Sequence, residues 1–295
     1  MPTFQFETVD VFTSQRFGGN PLAVFPEAAG LTDQQMQQLA TEFNLSETTF
    51  VLPPADPAHT ARVRIFNRSH EMPFAGHPMV GTACVLAQRA SARHDTFRFE
   101  VPAGLVTVRL SYDSDGVRGA EIDAPQTLST GVVLAAADIA ACVGLVEQDV
   151  RVSAHPPLLA TVGNTYVIAE VAPARLDDAV PDLAQFRRVL DATPGLSGRF
   201  SLYLYARTGE GALAARMFAP LVGTFEDPAT GSAATPLAAL LLSLSREESA
   251  AFAIRQGVKM GRPSLLLASA RRAPDGIRAS VGGSSVPVLS GTVRL

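Results

Sequence analysis

Two stretches of this chain are written on one template. His77-Pro78-Met79-Val80-Gly81-Thr82-Ala83 and Asp227-Pro228-Ala229-Thr230-Gly231-Ser232-Ala233 both read (His/Asp)-Pro-x-x-Gly-(Thr/Ser)-Ala, at a spacing of 150 residues (227 − 77). Each leads into an apolar run; Pro236 to Leu242 is rich in Ala and Leu. A polar cluster with Pro and Gly ahead of such a run predicts a loop opening onto a buried helix. Asp227 and Pro228 suit the N-cap and first helical position. Small residues there let backbone N–H groups meet an anion or a polar ligand. The expected helices are Pro78 to Gln88 and Pro228 to Leu242, with their starts facing each other across a cleft.

Other matches recur in the same order. Gly163-Asn164 echoes Gly19-Asn20, and Leu196-Ser197 echoes Leu45-Ser46. A helix predicted over Asp182 to Leu190 puts Phe186, Val189 and Leu190 where the first half has Met36, Leu39 and Ala40. Arg216-Met217-Phe218 repeats Arg64-Ile65-Phe66, and Asp275-Gly276 repeats Asp115-Gly116. Ordered matches of this kind mark a duplicated unit of roughly 150 residues. Whatever the chain folds into must therefore be built twice.

Each copy reads as short strands with one central helix. Phe4 to Phe12, Leu22 to Phe25, Ala61 to Phe66, Phe97 to Val101, Val106 to Leu110 and Val117 to Ile122 carry strand patterns. Leu31 to Phe43 is amphipathic, with Thr32 as its cap and Asn44 suited to a left-handed end. The two central helices are apolar nearly all round, so they must be buried inside something. A sheet curled around one helix satisfies both halves. A chain of 295 residues is comfortable for two such cores. The expected domains are residues 1–122 and 123–285, joined near Ile122 to Gln126. The final run Val286 to Leu295 follows the repeat as an extra strand that returns to complete the first domain.

Composition removes several function classes. The net charge is −4 with no basic run, which argues against nucleic-acid binding. No apolar stretch is long enough to span a bilayer as a helix, since Asp138 interrupts Val132 to Val146. The N-terminal residues lack a signal-peptide pattern. The two cysteines, Cys84 and Cys142, are expected to be buried free thiols in a cytoplasmic protein. There is no metal-ligand cluster, no nucleotide-binding glycine fingerprint and no nucleophile elbow, so cofactor-free chemistry on a small-molecule substrate is expected.

The residues that can move protons are few. His77 at a helix start is expected to be a neutral imidazole, because the positive end of the helix disfavours imidazolium. Asp227 holds the matching place in the second copy. Glu47 lies among Ser46, Thr48 and Thr49 ahead of a buried strand, and its repeat partner is Gly198, so the repeated fold does not require an acid there. A carboxyl group so placed suits general acid–base work. Glu71 and Glu226, which also precede helix starts, are expected to be solvated.

At this point the motifs resemble a known family. Gly19-Asn20-Pro21, Ser46-Glu47-Thr48-Thr49-Phe50, Phe74-Ala75-Gly76-His77-Pro78, Asp227 to Ala233, Gln256-Gly257, Met260-Gly261-Arg262-Pro263-Ser264 and Val281-Gly282-Gly283 are similar to the PhzF family of phenazine-biosynthesis-like isomerases. The resemblance runs from first strand to last. It implies an α+β, diaminopimelate-epimerase-like fold of two pseudo-symmetric domains, each a curled, barrel-like mixed sheet around a central helix. It also implies a cofactor-independent isomerase, often a homodimer. The family's acid/base carboxylate falls on Glu47 and its other active-site positions on His77, Asp227 and Ser232, with Gly76 beside them. Gly231 and Ser46, their chain neighbours, are taken as further substrate-binding positions. Related epimerases of this fold use two cysteines at the helix starts; here Gly76-His77 and Asp227 stand there, which excludes a two-thiol mechanism. A carboxylate-based epimerase or racemase and a non-catalytic binding protein on the same scaffold remain the alternatives.

Overall fold

Turn and cap chemistry sets up the first of two structural units. The computed structural model describes residues 1–295 and divides into Met1–Asp123 with Gly282–Leu295, and Ala124–Val281. The fold is α+β. The first unit holds β1 (Thr3–Val11), β2 (Asn20–Phe25), α1 (Asp33–Phe43), β3 (Glu47–Leu52), β4 (Ala61–Phe66) and the two-residue β5 (Glu71–Met72). It continues with α2 (Gly76–Arg89), β6 (Thr96–Val101), β7 (Gly104–Asp113) and β8 (Gly116–Asp123). The second holds β9 (Ser129–Val133), α3 (Ala136–Cys142), β10 (Val150–Arg151), β11 (Leu158–Thr161), β12 (Thr165–Val171), α4 (Leu183–Ala192) and β13 (Leu202–Gly209). After it come β14 (Ala212–Ala219), β15 (Thr224–Asp227), α5 (Gly231–Ser243), β16 (Ser249–Gln256), β17 (Ser264–Ala273) and β18 (Gly276–Arg294).

In the first unit the strands close on themselves. β1 pairs antiparallel with β2, β2 runs parallel to β3, and β3 pairs antiparallel with β4. β4 runs parallel to β6, which continues through β7 to β8, and both β8 and β1 pair with β18. Parallel neighbours need a crossover. Helix α1 supplies one, between β2 and β3, and α2 the other, after β4. They lie on opposite faces of the sheet because strand side chains alternate. Thr49 turns inward, where its hydroxyl meets that of Thr82 on α2 at 2.8 Å. Phe50 turns outward into a cluster with Phe25, Phe66, Met36 and Leu39 under α1, stacked on Phe25 at 5.0 Å between ring centres. Thr32 and Gln35 form the expected capping box, and Asn44 ends α1 at φ 52°.

Helix α2 is buried from Gly76 through Val85. Its approach to the sheet depends on Gly81: a Cβ there would stand 2.6 Å from Leu22 Cδ2 and 2.8 Å from Val11 Cγ2. Both distances are well inside van der Waals contact, so no larger residue fits unless these side chains or the helix shift.

The second unit repeats the scheme. β12 runs parallel to β13 with α4 as crossover, and β14 runs parallel to β16 with α5 as crossover. Asp182 caps α4 by accepting from Ala184 N and Gln185 N. Phe186 and Val189 of that helix pack outside the sheet with Phe200, Leu204 and Phe218. Helix α5 is buried along most of its length. α3, which no local sequence pattern announced, joins the outer cluster through Ile139 and Cys142.

The structure amends three expectations. The tail expected as a separate strand from Val286 is part of a single 19-residue strand, β18. Its residues up to Val281 belong to the second unit and those from Gly282 to the first. The helix starts also move. α2 begins at Gly76 with Ala75 as N-cap, and α5 begins at Gly231 with Thr230 as N-cap. Asp227 is therefore not a cap. It is the last residue of β15, paired with Met217, and the chain needs Pro228 and Ala229 to turn into the helix. Finally, Glu71 and Glu226 are not free solvated side chains, although water still reaches part of Glu71. Each is held by a bidentate arginine: Arg64 at 2.7 and 2.6 Å, and Arg216 at 2.8 Å twice.

Candidate active site

The amended helix starts change which residues correspond. Gly76 and Gly231 each open a helix, so His77 and Ser232 occupy the same second helical position. In the strand ahead, Glu71-Met72 of β5 matches Glu226-Asp227 of β15, both glutamates being arginine-bound. Asp227 thus stands where the first unit has Met72. The template alignment of His77 with Asp227 does not survive in three dimensions.

In the first unit the fold brings Glu47 and His77 together. Glu47 is the first residue of β3 rather than part of a loop, and Leu22 of β2 lies opposite it. Strand alternation gives Glu47 the same inward face as Thr49, toward α2. Its Oε2 approaches His77 Nε2 at 3.4 Å. Both groups are sequestered, with 16% of the Glu47 side chain and 7% of the His77 side chain exposed. Burial pushes the imidazole down to about 3, so His77 is neutral at physiological pH. The contact is therefore between a carboxyl group and an uncharged ring, and not an ion pair. His77 Nε2 is buried and makes no hydrogen bond within the protein. A buried polar atom left in that condition costs free energy, and active sites are where such costs are tolerated. Ser46 and Gly76 flank the pair in the chain. Neither has a side-chain bond that fixes its role.

In the second unit the fold gathers Asp227, Thr230, Gln256 and Tyr203. Thr230 Oγ1 donates to Asp227 Oδ2 at 2.5 Å. Gln256 Nε2 donates to the Asp227 carbonyl at 2.8 Å and to Thr230 Oγ1 at 3.0 Å. Ser232 sits one step into α5, its hydroxyl 2.6 Å from that of Tyr166 on β12. Gly257 has φ 72°, and a Cβ there would meet Pro228 O at 2.6 Å and Arg262 O at 2.4 Å. Only glycine allows the backbone so close to the turn that follows Asp227.

Sequence inspection singled out Glu47, His77, Asp227, Ser232, Gly76, Gly231 and Ser46. It did not single out Tyr166, Tyr203, Thr230 or Gln256 as functional. Thr230 lay inside the repeated template and Gln256 beside a conspicuous glycine. The two tyrosines carried no local signal, because strand register alone brings them to the helix. Neither cysteine is poised as a thiolate. Both are buried, and burial pushes their thiols up to about 12, which removes the thiolate that a nucleophile or base would need. No cluster of His, Cys, Asp and Glu is arranged to hold a metal ion, and no helix is long and apolar enough to cross a membrane.

A neutral imidazole beside a carboxyl group, with no thiolate within the site, equips the chain for proton transfer. The sequence profile of the phenazine biosynthesis-like protein family matches residues 9–291. The chain belongs to that family. An isomerase of Mesorhizobium japonicum whose reaction is uncharacterized is 36% identical, over 99% of both chains. The trans-2,3-dihydro-3-hydroxyanthranilate isomerase of Pseudomonas chlororaphis is 35% identical, over 97% of this chain and 98% of its own. A crystal structure of a PhzF-family protein from Bacillus anthracis superposes with a TM-score of 0.87 over 100% of both chains at 23% identity, which shows the shared fold. The protein is an isomerase.

Proposed function

We propose that the protein moves a proton, and with it a double bond, within a small carboxylate-bearing ring, and that Glu47 carries the proton. The observation that supports this most directly is the buried Glu47–His77 contact at 3.4 Å with a neutral imidazole. In the reaction Glu47 takes a proton from one carbon as electrons shift into the ring system, then returns it at another carbon. The carboxyl group ends as it began, so no external acid, base or cofactor is consumed. His77, uncharged, can donate or accept a hydrogen bond without competing for the proton. Asp227 and Ser232 are assigned to substrate amino, hydroxyl or carboxylate groups, with Ser46, Gly76 and Gly231 contributing further contacts. A dihydrohydroxyanthranilate is the substrate class favoured, because whole-length relatives bear that name.

The test is turnover of trans-2,3-dihydro-3-hydroxyanthranilate, followed by ultraviolet absorbance, in wild type and Glu47→Gln. General acid–base catalysis contributes about 10²–10⁴-fold, so the variant is expected to lose turnover by about that factor while melting at the wild-type temperature. Full activity in Glu47→Gln rules out Glu47 as the proton carrier. A wild type that leaves the compound unchanged rules out the substrate.

A further inference from the structure

The hydrogen bonds around Asp227 have only one consistent direction. Gln256 is 1% exposed, and all of its side-chain valences are used. Its Oε1 accepts from Tyr203 Oη at 3.0 Å and from the Thr230 backbone N–H at 3.2 Å. Its Nε2 donates to the Asp227 carbonyl at 2.8 Å and to Thr230 Oγ1 at 3.0 Å. The amide cannot be turned over. A flipped Gln256 would set its NH₂ group against the Thr230 N–H and its oxygen against the Asp227 carbonyl, leaving two buried clashes of like polarity. Backbone groups therefore dictate the orientation of the amide.

The orientation of the amide then dictates the rest. Thr230 Oγ1 accepts a proton from Gln256, so its own single proton has one destination, Asp227 Oδ2 at 2.5 Å. The chain reads Tyr203 to Gln256 to Thr230 to Asp227, each member donating to the next. Tyr203 remains a phenol, because burial first, and then the neighbouring Tyr166 and Asp227, raise its ionisation well above the usual range. We infer that Gln256 and Thr230 are positioning residues that hold Asp227 Oδ2 as an obligatory hydrogen-bond acceptor. This assigns Asp227 to receiving a donor, such as a substrate ammonium or hydroxyl group, as its Oδ2 already does from Thr230. It rests on the reading above that Asp227 contacts substrate, and it adds what fixes that carboxylate.

The experiment uses the full-length protein with ¹³C-carboxyl-labelled aspartate, the Asp227 signal being assigned through Asp227→Asn. Thr230→Val keeps the shape and deletes the donor; Thr230→Ser restores it. Gln256→Glu places an acceptor where Nε2 stood and draws the Thr230 proton away from Asp227. The Asp227 carboxyl resonance is expected to move in Thr230→Val and Gln256→Glu and to return in Thr230→Ser. With trans-2,3-dihydro-3-hydroxyanthranilate, KM is expected to rise by about 10-fold or more in the first two variants, the scale of a lost charged hydrogen bond, with kcat changed less. An unchanged Asp227 resonance in both Thr230→Val and Gln256→Glu overturns the inference. If Thr230→Val does not fold, Gln256→Glu and Thr230→Ser decide it. If wild type leaves the compound unchanged, the substrate reading fails by itself, and the carboxyl resonance still decides the wiring of Asp227.

Discussion

The helix start of the first unit and that of the second share a backbone plan and differ in how their polar groups are treated. Around α5 the buried polar atoms are wired: Gln256 uses every valence and Thr230 both donates and accepts. At the start of α2, His77 Nε2 lies buried without a hydrogen bond, 3.4 Å from Glu47 Oε2. A satisfied network rigidifies its members, while an atom kept out of hydrogen bonds is available to something that arrives later. Under the proposed function, one copy of the duplicated unit supplies the proton carrier and the other the groups that orient the substrate. This division appears in the details that duplication did not preserve, His77 against Ser232 and Met72 against Asp227.

The largest effect expected from breaking this comparison is the loss of turnover in Glu47→Gln described above, with no counterpart substitution in the second unit, whose β13 begins with Leu202. Next come the two arginine clamps. Arg216 and Glu226 have side-chain exposures of 8% and 15%, against 18% and 29% for Arg64 and Glu71. Removing one partner of a buried pair strands the other, at about 3–5 kcal/mol. Arg216→Met is therefore expected to cost about that much in denaturant unfolding. Arg64→Met is expected to cost less, since water reaches its partners and Asp33 is exposed. Equal costs would remove the asymmetry between the halves.

A smaller effect is electrostatic. His77 is lowered from 6.5 to about 3 in the folded state. Between those values the unfolded chain binds the proton and the native state does not, so stability falls as pH drops below 6.5 and is unaffected above it. The slope is about 1.4 kcal/mol per pH unit. Replacing His77 by Asn is expected to flatten the decline between pH 6 and 4 relative to wild type, and to weaken substrate binding at neutral pH. An identical pH profile in the variant would place the imidazole in contact with water. The smallest expected effect concerns what the halves still share. Thr32→Ala and Asp182→Ala each remove a side-chain cap, and each is expected to lower stability by about 1 kcal/mol. A large difference between them would mean that the outer helices have diverged as far as the inner ones.

The amino-acid sequence by itself determined the duplication, the two central helices, the cap of α1 and the candidate acid at Glu47. These are local matters: apolar runs, cap residues and turn glycines act over a few positions, and a repeat is visible wherever enough of them recur. It also argued against a two-thiol mechanism, because neither cysteine stands at a helix start. What it misplaced were positions that depend on strand pairing. The proline template aligned His77 with Asp227, but β15 keeps pairing with β14 as far as Asp227 and postpones the helix to Gly231. Only tertiary structure decided that Glu71 and Glu226 are clamped by arginines, that Tyr203 meets Gln256 across 53 residues of chain and Gln256 in turn reaches Asp227, and that Glu47 meets His77. The physical reason is register. A strand's pairing partner sets which residues share a face and a level, and that choice is made by hydrogen bonds between segments far apart in the chain, where no local pattern records it.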